Sequence, residues 1–176
     1  MLVIGGCRSG KSGYALKAAE DIIRKECKPG VFIATAEPFD TEMEDRIRNH
    51  QKERGPYWQT IEAPTAVCDA IEGIRDDISV ILLDCVTVWI TNLLIRETPE
   101  SGAENEIESE VKRLAAMLKD PPAPVIVVSN EVGMGIVPEN KLSRRFRDLA
   151  GFANQRLAAS VERAVLVAAG IPLVLK

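Results

Sequence analysis

The chain has 176 residues and a formal net charge of −4, with 46% hydrophobic and 27% charged residues. This length favours one domain over residues 1–176 with a sizeable apolar core. The sequence has no basic stripe that could follow a nucleic-acid backbone and no apolar run of about 18 residues that could span a membrane, so we expect neither partner. Its four cysteines form no C-x-x-C pair, and the first residues lack the pattern of a signal sequence, so we expect a cytoplasmic protein with reduced thiols.

The first motif follows a short apolar run at residues 1–4, which predicts a strand. The motif fits the phosphate-loop pattern G-x-x-x-x-G-K-[ST] and reads Gly5-Gly6-Cys7-Arg8-Ser9-Gly10-Lys11-Ser12. Gly5 and Gly10 allow backbone conformations in which N–H groups turn inward around a phosphate. Lys11 would bring a catalytic cation to the β- and γ-phosphates, and Ser12 would offer its hydroxyl to Mg²⁺. A helix predicted over residues 12–25 would add the positive end of its dipole, so the motif indicates a nucleoside triphosphate site.

Two extended segments come after this helix. Residues 31–35 are apolar and partly β-branched, which predicts a strand ending in Ala34-Thr35-Ala36. Because the carboxyl ends of parallel strands face the ligand crevice, we expect these residues near the phosphate loop. Residues 57–62 form a short extended segment ending at Glu62, and a helical pattern over residues 65–74 follows it.

Between the two extended segments lies a predicted helix that carries the only histidine of the chain. Residues 41–44 have the form of a capping box, and Gly55-Pro56 would end the helix. His50 shares one face with Met43 and Ile47, which by itself is typical of a packed structural side chain. Its position between two strand ends also allows a catalytic role, because a neutral imidazole can act as a nucleophile at a phosphate. Spacing alone leaves both interpretations open.

A third apolar run, residues 80–84, ends in Asp84, as the Walker B strand of phosphate-loop proteins does. The carboxylate of such a strand lies beside the Mg²⁺ ion, so Asp84 and Ser12 are the predicted metal ligands. An apolar helix comes next. Its polar side chains, Thr87, Thr91 and Asn92, are expected to cap their own helix or bond back to it.

The rest of the chain continues the alternation of strands and helices. The pattern predicts an amphipathic helix over residues 104–118, a strand over 125–129, a long helix opening at 138–140, and strands over 165–168 and 173–175. Arg144, Arg145 and Arg147 lie in the first turns of the long helix, where a solvated basic face is the default and an anion contact the alternative. The alternation predicts an α/β fold with a mostly parallel sheet covered on both faces.

Motifs spread over the whole chain agree with one family. They are the phosphate loop, Ala34-Thr35, His50, the run from Asp84-Cys85 through Thr87, Trp89, Thr91, Asn92 and Leu93, Phe146-Arg147-Asp148, Ala150-Gly151, Asn154-Gln155-Arg156, and a long loop. That loop is the most distinctive and reads Asn130-Glu131-Val132-Gly133-Met134-Gly135-Ile136-Val137-Pro138-Glu139-Asn140. On these residues the chain resembles the bifunctional adenosylcobinamide kinase / adenosylcobinamide-phosphate guanylyltransferase family.

The resemblance implies a RecA-like phosphate-loop fold, a homotrimer and two activities of late adenosylcobalamin biosynthesis. The first activity is phosphorylation of adenosylcobinamide with ATP or GTP. The second is transfer of GMP from GTP to adenosylcobinamide phosphate through a guanylyl-histidine, which yields adenosylcobinamide-GDP and pyrophosphate.

The functional residues of the family carry over to positions of this chain. The guanylylated histidine corresponds to His50, and the phosphate loop corresponds to residues 5–12. The further nucleotide contacts correspond to Ala34, Thr35, Ala36, Gln51, Lys52, Glu53, Arg54, Glu62 and Asp84.

Three positions depart from the family pattern. Asn49 stands where some relatives have a second histidine, Asp84 where some have glutamate, and Cys7 where a small residue such as alanine is usual. None of these departures removes a required group. The shorter carboxylate leaves open whether Asp84 meets the metal directly or through water.

The residues alone leave two other functions open. One is a phosphate-loop kinase of another small molecule, in which His50 is structural. The other is a nucleotide-binding module that hydrolyses or senses a triphosphate without a small acceptor. The match over residues 130–140 favours the bifunctional enzyme over both.

Overall fold

Strands and helices alternate along the chain, which a computed structural model describes for residues 1–37, 55–75, 77–96 and 103–176. The strands are β1 (Leu2–Gly5), β2 (Gly30–Ala34), β3 (Trp58–Glu62), β4 (Val80–Asp84), β5 (Val125–Asn130), β6 (Ala164–Ala168) and β7 (Ile171–Val174). The helices in these ranges are α1 (Lys11–Glu26), α2 (Val67–Gly73), α3 (Val86–Arg96), α4 (Ala103–Met117) and α5 (Lys141–Ser160). The predicted elements of these ranges are confirmed with small shifts at their ends, whereas the helix predicted from Thr41 lies outside the described residues. Among the described helices, none has the length and hydropathy that crossing a membrane requires.

The seven strands form one sheet in the order β3-β2-β4-β5-β1-β6-β7. Every neighbouring pair is parallel except β6 and β7, which are antiparallel. One strand, β5, separates β1 with its phosphate loop from β4 with its terminal Asp84. The predicted α/β class and mostly parallel sheet are confirmed, and the strand order agrees with the RecA-like phosphate-loop fold.

The central strands are continuous apolar runs because helices cover both faces of the sheet. In β4, Ile81 and Leu83 belong to the core cluster that includes α2, α3, α4 and α5, whereas Val80 and Leu82 belong to the cluster that includes α1. Successive side chains of a strand point to opposite faces, so each face needs its own apolar residues. The register of the strands, once formed, sets the positions of the segments that follow them.

The parallel pairing brings the predicted functional segments to one edge. In β1, Gly5 lies opposite Asn130 of β5 on one side and opposite Val167 of β6 on the other. In β2, Ala34 lies opposite Asp84 of β4. Because parallel strands end at the same edge of a sheet, the segments that follow β1, β2, β4 and β5 meet there.

Two leucines of α5 offer a matched test of the core. Leu157 is fully buried, whereas Leu142 is 50% exposed on the same helix. We predict that Leu157→Ala lowers the free energy of unfolding by about 2–5 kcal/mol, because it removes buried methyl groups and leaves a cavity. Leu142→Ala should change the free energy of unfolding by less than about 0.5 kcal/mol. Urea denaturation measures both, and equal losses would contradict the packing described here.

Candidate active site

The phosphate loop uses its glycines in two ways. Gly10 has a φ of +93°, a conformation that L side chains rarely adopt, so the predicted reason for a glycine there is confirmed. Gly5 is needed for space instead. A Cβ at Gly5 would lie 2.4 Å from the carbonyl oxygen of Val167 and 2.5 Å from Oγ of Ser9. The loop therefore packs so closely against the end of β6 that no side chain fits at Gly5.

Lys11 is held at the mouth of this loop. Its side chain is only 9% exposed, and its Nζ donates a hydrogen bond of 3.1 Å to the carbonyl oxygen of Gly6. Lys11 is also the first residue of α1, whose N-cap residue Gly10 has no side chain that could bond the free N–H groups. The first turn of α1 holds no acidic residue. Positive charge from the ammonium group and from the helix end thus meets at one place, which suits an anion such as a triphosphate.

Thr35 joins the ends of β2 and β4. Its Oγ1 donates a hydrogen bond of 2.9 Å to the carbonyl oxygen of Cys85 and accepts one of 2.8 Å from the N–H of the same residue. The Thr35 side chain is fully buried, so these two bonds occupy it. These bonds hold the Ala34-Thr35-Ala36 segment at the end of β2 in place, and a direct contact between the Thr35 side chain and a nucleotide stays a prediction.

The polar side chains of α3 behave differently from one another. Thr91 donates from Oγ1 to the carbonyl oxygen of Thr87 at 2.9 Å, so the expected back-bonding within the helix is confirmed for it. For Asn92 that expectation is wrong, because its Nδ2 reaches across to the carbonyl oxygens of Thr35 at 2.7 Å and Pro64 at 2.9 Å. The signal in the sequence was an amide in the middle of an apolar helix. A buried amide requires partners, and an apolar helix surface supplies none.

A second polar group of α3 links the site to the long loop. The hydroxyl of Thr87 lies 3.3 Å from Sγ of Cys85 and accepts a 2.7 Å hydrogen bond from Nδ2 of Asn130. The carbonyl oxygen of Asn130 in turn accepts a 3.0 Å bond from Nδ2 of Asn154 on α5. Helix α5 thereby takes part in fixing the end of β5, which pattern analysis of the separate elements did not predict.

Asp84 and Lys11 have opposite effects on the pKa of the Cys85 thiol. Burial, together with the adjacent Asp84 carboxylate, raises the pKa of the Cys85 thiol to about 11, while hydrogen bonds with Thr87 and Val88 and the Lys11 ammonium oppose this rise. Cys85 is buried and stays protonated at neutral pH, so it is no nucleophile there.

The oxygen donors of the site fit a magnesium ion. Ser12 offers a hydroxyl and Asp84 a carboxylate, which are the hard oxygen ligands that Mg²⁺ prefers. The described residues contain no group of three or more His, Cys, Asp and Glu side chains that could hold a metal ion on its own. A magnesium ion here would therefore take its remaining ligands from substrate phosphates and water, as it commonly does.

The loop after β5 is fixed at both of its ends. The N–H of Glu131 donates to the carbonyl oxygen of Gly5 at 3.0 Å, which ties the loop to the phosphate loop. At the other end, Oδ1 of Asn140 caps α5 by accepting from the N–H groups of Leu142 and Ser143. Arg144 bonds the carbonyl oxygens of Pro138 and Glu139, so its guanidinium supports this turn rather than facing only solvent.

The predicted site residues fall into three groups. The structure brings the phosphate loop, the Ala34-Thr35-Ala36 segment and Asp84 to one edge of the sheet. Glu62 ends the outermost strand β3, four strand positions from β1 and thus roughly 19 Å away. His50, Gln51, Lys52, Glu53 and Arg54 lie outside the described residues.

The Thr35 hydroxyl gives a sharp test of the site's framework. We predict that Thr35→Val lowers the free energy of unfolding by about 1–3 kcal/mol or more, because it keeps the shape but leaves the N–H and C=O of Cys85 buried without this partner. Thr35→Ser retains the hydroxyl and should lose only about 1 kcal/mol for the missing methyl group. Chemical denaturation of both variants measures the difference, and a serine variant as unstable as the valine variant would refute this role.

Comparison with known proteins agrees with this geometry. The family model described as cobinamide kinase / cobinamide phosphate guanyltransferase matches residues 1–175. The protein named bifunctional adenosylcobalamin biosynthesis protein CobU of Escherichia coli is 39% identical over 184 aligned positions, which cover 100% of this chain and 99% of that protein. Its namesake in Salmonella typhimurium is 40% identical over 184 positions with the same coverage.

A third relative comes from Pseudomonas aeruginosa and is named bifunctional adenosylcobalamin biosynthesis protein CobP. It is 37% identical over 175 positions, which cover 99% of this chain and 96% of that protein. With a family match over nearly every residue and relatives aligned over their full lengths, the chain belongs to the cobinamide kinase / cobinamide phosphate guanyltransferase family.

Proposed function

We propose that this protein phosphorylates adenosylcobinamide with ATP or GTP and then transfers GMP from GTP to adenosylcobinamide phosphate, giving adenosylcobinamide-GDP and pyrophosphate. The observation that carries the proposal is the phosphate loop with its buried Lys11, which lies at the same carboxyl edge of the sheet as Asp84. Membership of the family supports both half-reactions, as do the printed names of the relatives, which call them bifunctional.

In the kinase step, residues 5–12 hold the triphosphate through backbone N–H groups and the N-terminus of α1. The aminopropanol hydroxyl of adenosylcobinamide attacks the γ-phosphorus, the bond from that phosphorus to its bridging oxygen breaks, and a nucleoside diphosphate leaves. Lys11 stabilises the charge that develops on the phosphate oxygens. Mg²⁺ would neutralise further phosphate charge when bound, and Ser12 and Asp84 are the residues that would hold it.

In the guanylyl step we assign the nucleophile to His50. The imidazole nitrogen attacks the α-phosphorus of GTP and pyrophosphate leaves, which forms a guanylyl-histidine. A phosphate oxygen of adenosylcobinamide phosphate then attacks the same phosphorus and releases the imidazole. His50 belongs to the crossover between β2 and β3, which starts at the site's edge. Glu37 fixes that start, since its carboxylate accepts two bonds from Arg96, at 2.6 and 2.9 Å.

The remaining nucleotide contacts are assigned by their position. Gln51, Lys52, Glu53 and Arg54 follow His50 on the same crossover, where polar side chains can bond phosphates. Glu62 lies too far along the sheet for the phosphate loop, so we assign it to the guanosine end of the nucleotide. We place the reactions in the cytoplasm, which the cysteine pattern favours, and we expect a homotrimer, as the resemblance implies.

The first test concerns Lys11. We predict that Lys11→Ala lowers the turnover of both half-reactions by about a hundredfold or more, because both reactions act on a triphosphate and lose the same cation. Lys17→Ala is the matched control, since Lys17 is an exposed lysine of the same helix. Steady-state rates with saturating nucleotide measure the effect. If Lys11→Ala phosphorylates cobinamide at the wild-type rate, this loop does not hold the phosphate donor.

The second test concerns His50. GTP labelled at the α-phosphate should leave label on the wild-type protein that acid removes and base does not, because a phosphoramidate has this lability. We predict that His50→Ala abolishes both the label and the formation of adenosylcobinamide-GDP while cobinamide phosphorylation continues, because direct γ-phosphoryl transfer needs no histidine adduct.

Asn49→Ala is the control for this test, since it alters the neighbouring position where some relatives have histidine. This variant should keep the label. Continued formation of adenosylcobinamide-GDP by His50→Ala would exclude the covalent step and favour a single in-line displacement. Nucleotide hydrolysis without any acceptor dependence would instead favour the nucleotide-binding module.

A further inference from the structure

We propose that the turn between β6 and β7 positions the phosphate loop, with Gly170 orienting the Ser9–Gly10 peptide so that the Gly10 N–H faces the triphosphate. The inference rests on the proposed function only in that residues 5–12 hold a triphosphate. Residues that follow the last family motif of the chain would then take part in nucleotide binding.

The first observation is direct contact between the turn and the loop. The N–H of Gly170 donates a 2.8 Å hydrogen bond to the carbonyl oxygen of Ser9. A Cβ at Gly10 would lie 3.2 Å from Cα of Gly170 and 3.9 Å from Cγ1 of Val167. The carboxyl end of β6 and the turn after it therefore cover the outer side of the loop.

The hydrogen bond determines where the next N–H points. In a trans peptide the C=O and N–H groups point in opposite directions, and in the described chain the only cis peptide is Asp84–Cys85. Because the carbonyl of Ser9 is directed outward to Gly170, the N–H of Gly10 is directed to the opposite side of the peptide. We assign that side to the concave side of the loop, toward the Gly6 carbonyl oxygen, which accepts from the N–H of Ser9 at 3.3 Å and from Nζ of Lys11 at 3.1 Å.

The turn itself requires an unusual backbone. Ala169 has a φ of +51° and Gly170 a φ of +77°, and these two residues connect antiparallel strands in which Ala168 lies opposite Ile171. Two central residues with positive φ are the pattern of a type I′ hairpin turn. A Cβ at Gly170 would meet no atom within 4 Å, so conformation and not space requires glycine there. A substitution at Gly170 therefore acts on the angle at which the N–H meets Ser9.

The experiment compares three glycine substitutions in the full-length protein. Gly170→Ala should weaken binding of a fluorescent GTP analogue with Mg²⁺ about tenfold, because alanine disfavours positive φ and shifts the N–H away from Ser9. Gly170→Asn should restore most of the affinity, since asparagine tolerates this conformation. Gly151→Ala in α5, where a Cβ also meets nothing within 4 Å, should bind as the wild type does.

Kinetics separate positioning from a general loss of structure. The Michaelis constant for GTP should rise in Gly170→Ala while the turnover number at saturating GTP changes less. A lower melting temperature with unchanged affinity would overturn the proposal, because the turn would then serve stability alone. Failure of the wild-type protein to bind the analogue would count against the proposed function and not against the turn.

A measurement on the wild type keeps the inference testable if Gly170→Ala does not fold. In a ¹⁵N-correlation NMR spectrum, the Gly10 amide resonance should shift on addition of GTP with Mg²⁺, and the Gly170 amide should exchange slowly with solvent both before and after. An unmoved Gly10 resonance in a nucleotide-saturated sample would overturn the proposal.

Discussion

The whole site depends on the close parallel pairing of β1 between β5 and β6. Gly5 marks its tightest point, because the end of β6 comes so near that a Cβ there would lie 2.4 Å from the carbonyl oxygen of Val167. On the other side, the carbonyl of Gly5 accepts from the N–H of Glu131. Three segments are thereby held in one rigid frame: the phosphate loop, the loop after β5 and the turn after β6. Any shift of one strand would move all three.

A layer of polar bonds lies beneath this frame. From Thr35 it passes to Cys85, then to Thr87, then to Asn130 and to Asn154, so that it joins two strand ends to α3, β5 and α5. The hydrophobic effect has no preferred direction, whereas a hydrogen bond between buried groups requires a particular geometry. The apolar core of the sheet therefore gives stability, while this layer defines the relative positions of the elements that carry the site.

The parts of this structure that the sequence predicted are those coded locally. The phosphate loop occupies eight consecutive residues, and the buried strands are apolar runs that can be read without knowledge of their partners. The bond between Gly170 and Ser9 joins residues at opposite ends of the chain, and nothing in either local pattern points to the other. The prediction for Asn92 is wrong for the same reason, because helical periodicity describes the helix and not the backbone segments that pack against it.

The two proposed reactions can share one phosphate loop because they develop charge at the same place. Transfer of the γ-phosphoryl group breaks the bond between the γ-phosphorus and the bridging oxygen of the β-phosphate. Transfer of GMP breaks the bond between the α-phosphorus and the opposite bridging oxygen of that β-phosphate. In both cases the leaving group gains negative charge on the β-phosphate, which we propose is the phosphate held by the N-terminus of α1 and the ammonium of Lys11.

What distinguishes the two reactions is therefore the nucleophile and not the loop. The hydroxyl acceptor must approach beyond the γ-phosphate, whereas an imidazole nucleophile must approach the α-phosphate from the side opposite the leaving pyrophosphate. The crossover from β2 to β3 starts next to Asp84, since Ala34 and Asp84 lie opposite each other in the sheet. One loop that binds the triphosphate, combined with a separate segment that carries the second nucleophile, is the simplest arrangement by which one small domain can catalyse transfer at both the γ- and the α-phosphorus.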